Sequence, residues 1–273
     1  MFLLLVLCPW SMVHGPLLAQ ESVQMVFEQD VAPDLKATVT LVANPSSRND
    51  ANASVRKATQ HARQILDQLD PQDPSSESAQ VLNHKEKGTY SISPDLAKIL
   101  QTSLDVAKKL KEPLVKQMEV NLSKNEVTFK TNDLSINIEP LIKGYLADII
   151  SEDLNRDGWK DSFLELGGVF ITKGRDFNGS WKIPVIEKTT TNAQHAFYYK
   201  VLNVAAATVE HGNGAQTDIK SVTVFTEGGA CKAQRLATAA VGTNLSNAKK
   251  LLKDGGATRF VLIDQNGNFL QNP

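Results

Sequence analysis

The run SINIEPLIKGYLADIISEDLNRDGWKDSFLELGGV, from Ser135 to Val169, limits what this chain can fold into more than any other stretch. Its first residues alternate apolar and polar, the period of a strand. Leu141, Tyr145, Ile149 and Leu154 then recur at helical spacing, with Asp148, Glu152 and Asp153 toward the other side. That spacing predicts an amphipathic helix packed by one face. Pro140 suits a first turn, where its missing N–H leaves nothing unpaired, and Gly158 suits the stop. The apolar run from Ser162 to Phe170 reads as a buried strand closing on Gly167-Gly168, where the backbone turns tightly or admits a close neighbour. Strand, helix and strand in this order set Lys143, at the helix start, near the paired glycine.

The rest of the chain reads as an α+β domain. Residues 25–42 alternate in two pieces around Pro33-Asp34, a strand, a turn and a strand. Residues 54–69 place Val55, Ala58, Ala62, Ile65 and Leu69 at helical spacing, and Ser93-Pro94 opens another helix with a capping serine and a first-turn proline. The Pro- and Ser-rich residues between them predict a loop. Near the C terminus, residues 236–241 and 244–253 read as helices and Asn266-Gly267 as a hairpin turn. A net charge of −1 argues against a polyanion-binding surface, so neither nucleic acid nor an acidic membrane is an expected partner. Residues 1–19 form an apolar run too short to span a bilayer and read as a signal peptide, which leaves residues 20–273 as one exported domain. A lipoprotein reading through Cys8 fits less well, because Leu7 stands where a small residue is needed. Cys231 is then alone in the mature chain, and a lone cysteine is more often a packed small side chain than a nucleophile.

The string IEPLIKGYLAD followed by ELGGVF resembles the ApbE family, the FAD:protein FMN transferases, whose pattern is D-L-x-G-I-A-K-G-Y-x-x-D and then N-x-G-G. Lys143, Gly144, Tyr145, Asp148, Gly167 and Gly168 match. Further on, SVTVFTEGGACKAQRLATAAVG resembles the family's S-V-T-V strand and A-D-A-L-A-T-A helix. Gly174 matches a glycine of the family, Trp181 and Ile183 match its W-x-V-x-I strand, and residues 78–83 resemble S-E-I-x-x-L-N. The resemblance implies an α+β fold, T-fold-like, of mixed sheets with packed helices and a flavin cleft between two lobes. It implies work in a bacterial periplasm, FAD as flavin donor, and magnesium-dependent transfer of FMN to a threonine or serine of a flavin-acceptor protein. It also implies flavin contacts at Asn137, Lys143, Gly144, Asp148, Gly167, Gly168 and Thr208, and metal ligands at Gln234, Thr238 and the carbonyl of Pro140. No residue emerges as catalytic.

Three departures fall on ligand-facing positions. The family's G-A-F-D-P-T and W-G-F segments give way to KKLKEPLVKQMEVNLSKNEVTF, which puts tight binding of the adenine half in doubt. Its histidine loop is replaced by His211-Gly212-Asn213-Gly214, which reads as a hairpin turn with a solvated histidine. Magnesium wants hard, charged oxygen ligands, yet an amide, Gln234, stands where the family has its metal aspartate, and Asn137 replaces a second carboxylate. Magnesium is therefore doubtful here. Two functions stay open: an exported transferase whose activity is reduced or lost, and a catalytically silent scaffold of the bacterial envelope that binds flavin or a partner. For Lys143, Gly167 and Gly168 the plainer alternative is a solvated helix start and a tight turn.

Overall fold

The computed structural model describes residues 22–82, 86–132, 134, 136–188, 194–211 and 217–272; the apolar run 1–19 lies outside them. No helix among the described residues is long and apolar enough to cross a membrane. Strands β1 (Val23–Ala32) and β2 (Leu35–Ala43) form the expected hairpin. Met25 and Phe27 point into the core while Val26 and Glu28 point out, the alternation of a strand with one covered face. Helix α1 (Arg48–Leu69) lays Val55, Ala58, Ala62, Ile65 and Leu69 on this hairpin and begins earlier than its apolar pattern suggests. A short helix α2 (Glu77–Leu82) occupies part of the expected loop, started by the Ser76 hydroxyl, which accepts the Ala79 N–H. Then come β3 (Gly88–Ser91) and α3 (Pro94–Leu110), whose first turn donates the Leu96 N–H to the capping Ser93 hydroxyl. The segment that departs from the ApbE pattern forms α4 (Leu114–Gln117) and a hairpin of β4 (Met118–Asn121) and β5 (Glu126–Phe129).

Helix α5 (Glu139–Arg156) leads into β6 (Ser162–Leu166) and β7 (Val169–Lys173). They are followed by β8 (Trp181–Lys188), β9 (Gln194–Val201), β10 (Ala205–Glu210) and β11 (Ile219–Thr226). Helices α6 (Ala230–Val241) and α7 (Leu245–Gly255) and the hairpin β12 (Arg259–Asp264) and β13 (Phe269–Gln271) complete the chain. Among the described residues one eight-stranded sheet runs β1-β2-β6-β7-β10-β11-β12-β13, beside a three-stranded sheet β3-β5-β4 and the ribbon β8-β9. The class is α+β as expected, with antiparallel pairing in each described sheet.

Helices α1, α5, α6 and α7 pack against the large sheet. The ribbon contributes Ile183 and Val185 to a separate cluster with Phe170, Ala206, Phe225, Val261 and Ile263. In β11 successive residues belong to different clusters, Val222 and Val224 with the helices and Phe225 with the ribbon. Covered on both faces, β11 is accordingly buried along almost its whole length, its Ser221, Thr223 and Thr226 included.

Two expectations for the central run need correction. Among the described residues 134 and 136–138, just ahead of α5, none is in a strand: the Asn137 carboxamide oxygen accepts the Glu139 N–H, so the alternation there marks a helix start. Nor is α5 amphipathic. Ile142, Leu146, Ala147 and Ile150 are as buried as the stripe of Leu141, Tyr145 and Leu154, because α1, α3, α6 and the sheet surround the helix. Gly167 and Gly168, at φ +54° and +83°, make the two-residue turn between β6 and β7, a conformation that suits glycine at both positions.

Gly144 sets how closely α5 approaches α6. A Cβ there would lie 2.7 Å from the Ala230 carbonyl oxygen and 2.8 Å from the Cys231 Cα, both of them backbone atoms. Overpacking of this kind typically costs about 1–3 kcal/mol, and here no flexible side chain can yield. Gly144→Ala is expected to lower the unfolding free energy by at least about 2 kcal/mol in urea titration. An unchanged midpoint would show that the two helices separate freely.

Candidate functional site

The second turn of α5 carries Lys143 to the bend between β6 and β7. A Cβ on Gly167 would meet the Lys143 Cδ at 3.1 Å and its Nζ at 3.6 Å, so the ammonium lies over the glycine turn. Gly168 donates its N–H to the Glu165 carboxylate at 3.2 Å and accepts the Thr208 N–H at 2.9 Å. Lys143, Gly167, Gly168 and Thr208 thus come together, as their sequence positions suggested. Burial lowers the proton affinity of Lys143, and the nearby Glu165 works against that shift. The result is a half-buried ammonium beside exposed backbone, suited to donating to an anionic or carbonyl oxygen. The Thr208 hydroxyl is already engaged with that of Thr223 at 2.9 Å.

Asn137 and Pro140 of the same helix start line a cavity of about 530 Å³ together with Ser103 of α3, Glu112, and Arg235 and Thr238 of α6. Arg235 donates through Nη2 to Glu112 at 2.5 Å and through Nε to the Ser103 hydroxyl at 3.3 Å. Gln234, one turn before Thr238, is 5% exposed. Its Oε1 and the Thr238 Oγ1 are buried and find no partner among the described residues. Pro140 and Thr238 thus line the cavity, while Gln234 is buried in α6 and does not line it. Their chemistry does not fit a divalent cation, because a carbonyl, an amide and a hydroxyl bring no charge and the arginine cation lines the same space. Among the described residues no group of three or more His, Cys, Asp or Glu side chains could hold a metal ion.

Other expected site residues serve the scaffold. Asp148 caps α6, not the helix of Lys143: Oδ1 accepts the Ala230 N–H at 2.7 Å and Oδ2 the Cys231 N–H at 2.9 Å. Gly144 admits the backbone of α6 in place of a ligand. Tyr145 donates its hydroxyl to Asp95 at 2.6 Å and ties α5 to the start of α3. Cys231 is buried, and burial, followed by the Asp148 charge, pushes its thiol up, away from the thiolate. His211 is half-buried, not solvated. Its N–H extends the β10–β11 ladder to Lys220, and its Nε2 is buried without a partner among the described residues. The proposed turn from Gly212 onward, and Asn83, lie outside the described residues.

Sequence reasoning missed Glu165, Arg235 and Glu112. Glu165 was legible in principle as the acidic neighbour of the paired glycine. Arg235 adjoins Gln234, but nothing local marks Glu112 as its partner across 123 positions.

The sequence model of the ApbE family matches residues 105–211. No curated protein sequence matches. Over the described fold, the chain is similar to the flavin transferase ApbE from Vibrio cholerae, at 12% identity and a TM-score of 0.74, covering 92% of this chain and 97% of that one. It is also similar to the flavinyl transferase ApbE of Pseudomonas stutzeri in its apo form, at 14% identity and 0.73, covering 92% and 94%. The ApbE protein of Thermotoga maritima gives 14% and 0.68, covering 92% and 97%. The matched segment, with Lys143 and the paired glycine inside it, is similar to the ApbE family, and the chain shares the fold of these ApbE structures.

Burial raises the Asp148 carboxyl from an ordinary 3.8 to about 6, against the pull of the two N–H groups it accepts from. Between these values the folded chain binds more protons at this position than the unfolded chain does. The carboxyl therefore favours the fold at low pH, and this contribution is lost as pH rises through about 6. Relative to Asp148→Asn, the natural protein is expected to lose stability from about pH 4 to 6.5 in urea titrations. Parallel stability profiles would contradict a perturbed carboxyl.

Proposed function

We propose that this chain is an exported ApbE-fold protein that holds a flavin nucleotide at Lys143 and Gly167-Gly168. Transfer of FMN from FAD to a threonine or serine of a partner protein is reduced or lost in it. The observation that carries this reading is the neutral pair Gln234 and Thr238, both with buried, unpartnered oxygens among the described residues, with Thr238 lining the same cavity as the Arg235 cation. Phosphoryl chemistry depends on neutralising charge that develops on the phosphate oxygens, and this oxygen set offers no anchor for a divalent ion. Lys143 remains as a donor to a phosphate or ribityl oxygen, and the glycine turn lets a ligand approach the backbone. A flavin ligand is supported by the family match and by the flavin transferases that share the fold. Export is supported by the signal-like pattern of residues 1–19. The ion pair of Arg235 with Glu112 in the same cavity favours the stronger form of the proposal, a silent scaffold for flavin or a partner protein.

Calorimetric titration of the mature chain with FAD, with and without magnesium, tests this. FAD is expected to bind the natural protein equally in both conditions. In Gln234→Asp, magnesium should strengthen binding by about 10 to 100-fold, the scale on which ligand surroundings alter metal affinity. Magnesium-strengthened binding in the natural protein, with FMN appearing on an acceptor peptide, would overturn the loss of activity. Absence of FAD binding in both proteins would overturn the flavin reading itself.

A further inference from the structure

The cavity beside α6 is lined largely by apolar side chains, among which Arg235, Glu112, Asn137 and Thr238 supply polar groups. Arg235 is only 14% exposed and Glu112 28% exposed, so their contact is shielded from water on most sides. A guanidinium has five N–H donors, and the described partners of Arg235, Glu112 and Ser103, leave donors for a further acceptor. Thr238, one turn on along the same helix face, adds a buried hydroxyl with no partner among the described residues. Asn137 lines the same space from the start of α5. Two oxygens without donors could also suggest a cation, but Arg235 opposes one.

We propose that Arg235 takes over the charge neutralisation that the neutral pair Gln234 and Thr238 cannot delegate to a divalent ion, so that the cavity receives a pyrophosphate group without metal. The proposal rests on the flavin-nucleotide reading for why such a group arrives, but not for how it is held. Arginine suits the task because its planar fork meets two phosphate oxygens at once and stays charged at any working pH. Glu112 holds the guanidinium in the free protein and competes with the incoming anion. It stands in the segment where the chain departs from the family pattern, so the departure and the arginine form one device. Binding is then an exchange of one anionic partner for another, with no covalent step.

The probe is inorganic pyrophosphate, titrated calorimetrically into the mature chain in excess EDTA. Binding is expected without metal, weakened at least about tenfold in Arg235→Met and strengthened in Glu112→Gln, which frees the guanidinium. Removing one partner of a shielded pair strands the other, so the double variant Glu112→Gln/Arg235→Met serves if the single one fails to fold. It should bind pyrophosphate at least about tenfold more weakly than the natural chain. Binding that requires magnesium, or that survives in the double variant, overturns the proposal, as does Glu112→Gln binding more weakly than the natural chain. Pyrophosphate bound through Arg235 while FAD is refused would sink the flavin reading alone. FAD bound while pyrophosphate is refused would sink this inference alone.

Discussion

Helices α5 and α6 meet backbone to backbone at Gly144, and the Asp148 carboxylate one turn further on receives the first N–H groups of α6. The two contacts fix both the separation of the helices and the point where α6 begins. Gly229, at φ +93°, completes the joint, since a Cβ there would come within 3.0 Å of the Asp148 carboxylate. The ends of both helices follow from this crossing. Lys143 is presented to the β6–β7 turn on one side, while Arg235 and Thr238 are presented to the cavity on the other. A helix buried on every side cannot slide to relieve a misfit, because tightly packed interiors transmit strain to their neighbours.

The K-G-Y-x-x-D motif therefore divides into two kinds of residue. Gly144, Tyr145 and Asp148 build the helix joint, and only Lys143 faces a site. This division explains how a chain can keep the motif while the residues at the Gln234 and Thr238 positions vary. The scaffold residues are needed for α6 to pack, whatever the cavity then binds. Gln234 and Thr238 sit on a helix whose place is already settled, so an amide can stand there without disturbing the fold.

The sequence made the fold legible wherever a local pattern had a local cause. Ser93 caps, Pro140 opens, Gly167-Gly168 turns, and the Asn266-Gly267 hairpin closes as expected. It misled at α5, where one apolar stripe was visible but the elements covering the other faces come from distant parts of the chain. It misled at Asp148 as well, since a carboxylate on the less apolar face of a helix reads as solvated until α6 is placed against it. The gathering of Lys143 with the paired glycine was legible from element ends. The pairing of Arg235 with Glu112 was not, because no periodicity links a helix to a loop so far away in sequence.

The central claim is that this ApbE fold has kept its scaffold and exchanged a divalent metal site for a fixed side-chain cation. Electron paramagnetic resonance of manganese(II), titrated with the mature chain in the presence of pyrophosphate, tests it most directly. The account predicts the same free manganese signal as in a protein-free pyrophosphate control, with no stoichiometric protein-bound ion. Loss of that signal at one equivalent of protein, abolished by Thr238→Val, would show that Gln234, Thr238 and the Pro140 carbonyl hold a divalent ion after all.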